Sequence, residues 1–257
     1  MPITLTNPPA APVHRRAQLL DAGIVAGPLF VLLSFAQIPF RDGFDMTRHA
    51  FSFLLLGPGG WVQTINFLLV GLLYIAAGRG LRRRLTGRAG RTAQILATTL
   101  GAGLIVGGLF PPPPSFGYPV GAPAGAPAEM STNAALHAAG FITGMLSFTI
   151  LQFVLAGWLW RRHQRRWAVV ALVTGVALLS VPPTSGLPFG TSWLYLVVSV
   201  AYLVTSVQLR RLRGAKAAES PPSGVEGGQE AVVSRPPGSC GDRNSPRRYE
   251  HGLRPRS

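Results

Sequence analysis

The sequence contains very little cysteine, lysine or acid. Cys240 is the only cysteine among 257 residues, which excludes an intramolecular disulfide and a metal site built from cysteines. Lys216 is the only lysine, and 9 acidic residues face 24 basic ones, so the formal net charge is +15. So high a charge is a feature of many nucleic-acid-binding proteins. The arginines, however, lie in short clusters between long apolar stretches without interleaved aromatic residues, so we expect no nucleic-acid partner.

What the sequence does contain is long apolar runs. Hydrophobic residues make up 47% of the chain and charged residues only 13%. Six segments approach the ~20 residues that a helix needs to cross a bilayer. They cover residues 22–40, 61–78, 92–110, 134–160, 167–181 and 192–209. The predicted fold class is therefore all-α, a polytopic membrane protein with six transmembrane helices in three hairpins. The fifth segment is the shortest, and whether it crosses fully is left open.

The links between these segments alternate in charge. Arginines cluster at residues 15–16, 79–91, 161–166 and 210–213, whereas the other three links hold only Arg41 and Arg48. The positive-inside rule then places both termini in the cytoplasm. We predict a cytoplasmic N-terminal segment over 1–18 and a transmembrane domain over 19–210. Residues 211–257 are predicted to be a disordered basic cytoplasmic tail, because they are rich in Pro, Gly, Ser, Glu and Arg and poor in apolar residues.

Ionisable side chains are nearly absent from the apolar segments. Asp21 begins the first segment and is interpreted as the cap of its helix. Gln63, Asn66 and Gln152 are polar residues within segments, and hydrogen bonds between helices account for them. Ion-coupled transport needs ionisable groups deep in the membrane. The sequence therefore argues against an ion-driven transporter.

Small residues recur at every fourth position in two segments, which is typical of helices whose backbones touch in a membrane. Gly103 and Gly107 form such a pair in the third segment. The fourth segment has a column of four small residues, at Ala135, Ala139, Thr143 and Ser147. We predict that this column packs against another helix, and that leucine at Ala139 or Gly144 destabilises the bundle.

Polar residues concentrate in the links expected outside the cell. Arg48, His49 and Ser52 precede a Gly-Pro-Gly-Gly turn, and His137 begins the fourth segment. Residues 46–56 are predicted to form a short interfacial helix that places His49 and Ser52 one turn apart, and Trp61 is predicted to be an interfacial anchor. The histidines and nearby carboxylates do not have the sequence spacing of a known metal-binding motif. We therefore expect no metal and no cofactor. A haem bound between His49 and His137 is a narrower alternative.

Three stretches carry a resemblance to a known family. They are HAFSFLLLGPGGWVQTINFLLVGLLYIAAGRGLRR, GLIVGGLFPPPPSFGYPVGAP and ALHAAG. They resemble the bacterial membrane family called domain of unknown function 998, over roughly residues 20–205. The resemblance implies a multi-pass protein of the bacterial cytoplasmic membrane and implies no activity. It marks His49, Ser52, Gly57, Trp61, Asn66, Phe67, Gly71, Gly117, Pro119 and His137. Where the family loop tends to carry an aspartate, this chain has Pro113.

The leading functional prediction is a non-enzymatic protein that binds a lipid or a small apolar ligand at an outer-face pocket. Its candidate binding residues are Arg48, His49, Ser52, Trp61, Asn66 and His137. The outer loops are predicted to form one cap in which His49, Ser52 and His137 face a shared cavity. The alternative is that the histidines only satisfy loop carbonyls.

Two other function classes remain open. One is a membrane-embedded hydrolase or oxidoreductase that uses His49 and His137. The other is a transporter. Membrane lipids are the expected partners in each case, and a homo-oligomer or another membrane partner is also open.

Overall fold

The computed structural model describes residues 14–85, 87–127, 129–184 and 186–214. These residues form six α-helices and two short 3₁₀ turns, at Ile38–Phe40 and Phe51–Leu55, and no β-strand. All six helices are long and apolar enough to cross a membrane, which confirms the predicted all-α multi-pass architecture. The helices are α1 (His14–Gln37), α2 (Gly60–Arg84), α3 (Gly87–Leu109), α4 (Thr132–Arg161), α5 (Arg165–Thr184) and α6 (Gly190–Gly214).

The bounds of the bundle differ slightly from the predicted domain limits. Helix α1 begins at His14, before the predicted limit at residue 19, and α6 continues to Gly214, past residue 210. Helix α5 extends the fifth segment at both ends, and 19 of its residues qualify as a span. Residues 1–13 and the predicted disordered tail from 215 onward lie outside the described residues.

Each helix packs against the next, and α6 packs back against α1, so the helices form a ring. Short links join α2 to α3, α4 to α5 and α5 to α6, whereas the longer links 38–59 and 110–131 join α1 to α2 and α3 to α4. We call one end of the bundle the arginine end; it comprises residues 79–85, 87–91, 158–167 and 208–214. The opposite end is the cap end, formed by residues 38–59, 110–127, 129–131 and 186–189. Buried aromatic residues such as Phe30, Phe67 and Tyr202 fill the half toward the cap end, and leucines fill the other half.

Asp21 does not cap a helix, because α1 begins at His14 and Asp21 lies within it. Its carboxylate instead pairs with Arg213 on α6 at 2.5 Å. The prediction of a cap is therefore wrong. The cause is that α1 extends into the polar residues before the apolar run, so the start of the run does not mark the start of the helix.

The small-residue interface of α4 lies one position away from the predicted column. Ala135, Ala139 and Thr143 are exposed on the outside of the bundle. Gly140 instead contacts α3: a Cβ there would lie 2.8 Å from the carbonyl oxygen of Gly103. A Cβ at Gly144 would make only ordinary contact, 3.8 Å from its nearest neighbour. The predicted role of Ala139 is thus wrong, whereas Ser147 is buried and Gly144 does lie at the interface with α3, since a Cβ at Gly103 would lie 3.0 Å from the Gly144 backbone.

The Gly-Pro-Gly-Gly segment forms the predicted turn into α2. Gly57 and Gly59 have φ of +70° and +82°, the left-handed region that favours glycine. A Cβ at Gly60 would overlap the carbonyl of Leu55. These constraints end the preceding 3₁₀ turn and let α2 begin at once.

The predicted interfacial helix over residues 46–56 is wrong in extent. Only Phe51–Leu55 forms a 3₁₀ turn, and Ala50 before it is extended, with φ −68° and ψ 165°. Phe51 and Leu54 are buried among the helices rather than lying in the membrane surface. The segment therefore folds inward and covers the bundle.

Candidate functional site

Arg41 holds the cap end together. Its side chain is 8% exposed, and its guanidinium donates hydrogen bonds to four oxygen atoms. The acceptors are the carbonyls of Pro58, Gly59 (2.5 Å) and Leu54 (3.0 Å), and Oε1 of Gln37 (2.7 Å). The sequence left open that the histidines satisfy loop carbonyls. For the carbonyls of the glycine turn the donor is Arg41, which follows the 3₁₀ turn Ile38–Phe40 and reaches across to them.

His49 lies in an aromatic cage beneath the cap. It is 2% exposed, and its ring centroid lies 5.2–5.5 Å from those of Phe44, Phe53 and Tyr118. The backbone N–H of Asp45 donates to Nδ1 at 2.9 Å, so Nε2 carries the hydrogen and donates to the Phe116 carbonyl at 3.0 Å. Both ring nitrogens are therefore hydrogen-bonded to backbone groups.

The proline-rich link 111–127 folds back over the cap end. Besides the Phe116 carbonyl bonded to His49, it contributes Tyr118, whose hydroxyl donates to the Leu56 carbonyl at 3.4 Å. Burial raises the pKa of the Tyr118 hydroxyl above its ordinary value, and the charge of Arg41 opposes that shift. From the other side, the Tyr195 hydroxyl of α6 donates to the His49 carbonyl at 2.8 Å. The loops thus form one hydrogen-bonded cap.

A buried polar network lies between α1 and α2 under this cap. The two hydrogens of the Asn66 amide nitrogen are shared among three acceptors, the Phe30 carbonyl (3.2 Å), the Ser34 hydroxyl (3.1 Å) and Oε1 of Gln63 (3.2 Å). Gln63 in turn accepts from Gln37 at 2.7 Å, which connects the network to Arg41. Hydrogen bonds between helices, as predicted for Gln63 and Asn66, account for most of these polar atoms.

An apolar cavity of about 90 Å³ lies beside this network. Helices α1, α2, α3, α4 and α6 and the 3₁₀ turn line it, and no described residue of α5 does. Gly107 and Gly144 border it, and a Cβ at either would lie 3.7 Å or more from other atoms. The wall is largely aromatic, with Phe30, Phe51, Phe67, Phe141, Phe148 and Tyr202. The cavity exists because glycine leaves space where a helix normally carries a side chain.

Ser52 and His137 are the polar residues of the cavity wall apart from Tyr202. The carbonyls of Gly107 (3.1 Å) and Phe110 (2.8 Å) both face Nδ1 of His137, so Nδ1 carries the hydrogen and satisfies the end of α3. In the neutral ring Nε2 is then an acceptor, and it makes no hydrogen bond with the described residues. The Ser52 hydroxyl likewise has no hydrogen-bond partner among them.

The six candidate binding residues therefore do not form one site. Ser52 and His137 line the cavity, and His49 is not among its lining residues. Asn66 is fully buried in the polar network. Arg48 is exposed in the cap, and Trp61 is 67% exposed at the start of α2, a position suited to an interfacial anchor.

Several residues that shape the site were not among the sequence candidates. Arg41 and Tyr118 organise the cap, and Gly107 and Gly144 leave room for the cavity. Arg41 had one available signal, since it is one of only two arginines in the arginine-poor links. In residues 14–85, 87–127, 129–184 and 186–214, no group of three or more His, Cys, Asp or Glu side chains is placed to hold a metal.

These features define a class: a six-helix multi-pass membrane protein with an apolar cavity under a loop cap. The chain belongs to the family described as "Protein of unknown function (DUF998)", whose model matches residues 24–210 and so covers nearly the whole bundle. This match confirms the family resemblance of the sequence. Neither a curated protein nor a solved structure matches the chain. The family description assigns no activity, so function has to be inferred from the cavity.

Proposed function

We propose that this protein binds one segment of an amphipathic lipid or a similar small apolar ligand in the cavity under the cap. The observation that carries the proposal is an aromatic cavity with a serine hydroxyl and a histidine nitrogen free of hydrogen bonds to the described residues. Ligand sites are usually apolar with a few convergent polar groups. A hydroxyl on the ligand would donate to Nε2 of His137 and accept from Ser52.

The size and surroundings of the cavity favour partial insertion of a long molecule. A cavity of about 90 Å³ is smaller than the roughly 150 Å³ that accommodates benzene in an engineered apolar cavity. Phe141 borders it and is 42% exposed on the outer surface of α4. The rest of the ligand would therefore lie between α4 and α6, toward the lipid.

The proposed setting is the bacterial cytoplasmic membrane, with the arginine end in the cytoplasm and the cap end outside. The charge asymmetry supports this orientation: in the described residues, arginines of α2, α3, α4, α5 and α6 gather at one end, and the cap end has only Arg41 and Arg48. The ligand would then enter from the outer leaflet.

The proposal is tested by filling the cavity. Purified full-length protein is titrated with a long-chain alcohol and with the alkane of equal length, and binding is followed by native mass spectrometry. We expect the wild type to bind the alcohol more tightly than the alkane. Gly144→Leu should lose most binding, because its side chain enters the cavity, and Gly107→Ala should weaken it.

Gly157→Leu is the matched control, because a Cβ at this glycine of the same helix meets nothing within 4 Å. It should bind the alcohol as the wild type does. Unchanged binding by folded Gly144→Leu and Gly107→Ala would refute the cavity as the binding site.

A hydrolase acting on an acyl ester is the second candidate. It is favoured by a serine and a histidine that line one cavity, the residue types of a nucleophile and its base. The backbone occupies both nitrogens of His49, so this candidate rests on Ser52 and His137. Ser52→Ala should then abolish ester turnover but only weaken alcohol binding, because His137 and the apolar wall of the cavity remain. If the wild type hydrolyses no ester at any acyl-chain length, the hydrolase is excluded and ligand binding remains as the proposed function.

A further inference from the structure

A cluster of arginines and tryptophans lies at the arginine end, between the α4–α5 link and the last turns of α6. The guanidinium of Arg211 stacks on the ring of Trp167, 4.0 Å from its centroid. Two depressions meet at this pair. The wider one, about 570 Å³, is bordered by Arg165 and Arg166; the narrower one, about 30 Å³, reaches Gln208.

Gln208 is a buried amide without a hydrogen-bond partner. It is 3% exposed, and neither its Nε2 nor its Oε1 is bonded to any described residue. Leu155, Leu159 and Leu212 surround it in the narrow depression. Buried amides are nearly always hydrogen-bonded, because an unpaired one loses its contacts with water and gains nothing in return. The amide is therefore placed to meet a group that enters from outside.

The arginines around this amide give the site a strong positive charge that no neighbouring carboxylate of the described residues neutralises. Within the described ranges, no carboxylate lies at ion-pair distance from Arg165, Arg166 or Arg211. The nearby carboxylate of Asp21 is paired with Arg213. Guanidinium groups bind phosphate through paired N–H donors, and arginine is the preferred residue for this recognition.

Tryptophans surround this charged site. Arg162 and Arg165 stack on Trp158 and Trp160, at 5.2 and 5.8 Å from the ring centroids. Tryptophan is enriched where a membrane protein meets the headgroup region. A phosphate that reaches this site is therefore most readily the headgroup of a lipid in the leaflet at the arginine end.

We propose that this site binds the phosphate of an anionic phospholipid. Arg211, Arg165 and Arg166 contact the phosphate over the wide depression. One oxygen of the lipid, from the phosphate or an acyl ester, enters the narrow depression and accepts a hydrogen bond from the Gln208 amide. A volume of about 30 Å³ corresponds to roughly one water molecule, which suits a single oxygen. The site is separate from the cavity under the cap.

The test compares phosphatidylglycerol with phosphatidylethanolamine of the same acyl chains, added to the purified full-length protein and followed by native mass spectrometry. Phosphatidylglycerol should bind more tightly. Arg211→Gln should weaken it about fivefold, the effect of about 1 kcal/mol per basic residue near an anionic lipid. Arg88→Gln is the matched control, an exposed arginine of the same end that borders neither depression; it should change binding less than twofold.

Gln208→Leu provides an independent readout. It should weaken phosphatidylglycerol binding, yet raise the melting temperature of lipid-free protein, because it removes two unpaired buried polar atoms. If Arg211→Gln does not fold, the doubly substituted Arg165→Gln/Arg166→Gln protein, altered only at exposed side chains, replaces it.

Three results would overturn the proposal. The first is an equal loss of binding in Arg88→Gln and Arg211→Gln, which would indicate diffuse attraction. The second is unchanged phosphatidylglycerol binding in Gln208→Leu. The third is displacement of the lipid by inorganic phosphate at equal concentration, which would assign the site to a soluble phosphate compound.

Discussion

Arg41 shows how one side chain can organise a loop cap. A guanidinium carries five N–H donors in a rigid fork, which lets it serve several carbonyls at once. Arg41 contacts the oxygens of Leu54, Pro58 and Gly59 together, and so ties the 3₁₀ turn to the glycine turn. Lysine has a single ammonium group and cannot span the same set.

We expect Arg41→Lys to destabilise the protein by about 3 kcal/mol, since hydrogen bonds to a charged donor contribute about 1.5–3 kcal/mol each and several are lost. Thermal unfolding in detergent measures the change. Arg48→Lys, at an exposed position of the same loop, should stay within about 0.5 kcal/mol of the wild type. Equal effects of the two substitutions would contradict the role of Arg41.

Tyr118 should make the cap sensitive to alkaline pH. Its pKa is raised above the ordinary value, mainly by burial, so the folded chain holds the phenol proton more tightly than the unfolded chain. The stability that this proton contributes is present below the unfolded pKa, near 10, and is lost as pH rises through the folded pKa. We expect unfolding to become easier above about pH 10. Tyr118→Phe should reduce that dependence, as followed by melting temperature and tyrosinate absorbance.

At the scale of the element, the two histidines of the cap end differ in their access to the cavity. The backbone conformation between His49 and Ser52 sets the position of His49. In a continuous helix His49 and Ser52 would share a face. Extended Ala50 separates them, so His49 turns into the aromatic cage and Ser52 lines the cavity. His137 lies on α4, beside the end of α3, and keeps one nitrogen available.

Helix α4 provides a test with adjacent residues. Gly140→Leu should destabilise the bundle by about 1–3 kcal/mol, the usual effect of overpacking. The reason is that its Cβ would lie 2.8 Å from the Gly103 carbonyl oxygen. Ala139→Leu should be tolerated, because Ala139 is exposed on the outside. Melting curves of the two variants in the same detergent decide the matter. The reverse order of stability would mean that the face of α4 is misassigned.

The number of helices could be predicted from the sequence, whereas the rotation of α4 could not. A run of about 20 apolar residues predicts a spanning helix whatever its neighbours are. The rotation of a helix about its axis is normally indicated by a polar face, and α4 is apolar all round because lipid and protein interiors are equally apolar. Ala139 and Gly140 were therefore indistinguishable by pattern, and the true interface lies one residue from the predicted column.

The candidate site was predicted in composition but not in geometry. The family resemblance pointed to His49, Ser52 and His137, and two of these line the cavity. The position of His49 depends on hydrogen bonds to Phe116 and Asp45, which form only once the proline-rich link has folded over it. Such long-range backbone contacts leave no periodic signal in the sequence.

For the whole molecule, the distribution of arginine predicts the orientation in the membrane. Reporter fusions after Arg91, Arg166 and Lys216 should read as cytoplasmic. Fusions near Gly125 and Gly186 should read as external. An external reading after Lys216 would mean a miscounted span, and the short fifth segment would be the first suspect.

The contact between α1 and α6 joins the two helices that lie furthest apart in the chain. A Cβ at Gly27 would overlap the carbonyl of Tyr202, and Asp21 pairs with Arg213. During synthesis α1 leaves the ribosome before α6, so the glycines of α1 that face α6 stay uncovered in the bilayer until α6 has been inserted. Assembly is then completed by one late closing step. A chain terminated before α6 would keep that face open and offer it to membrane proteases.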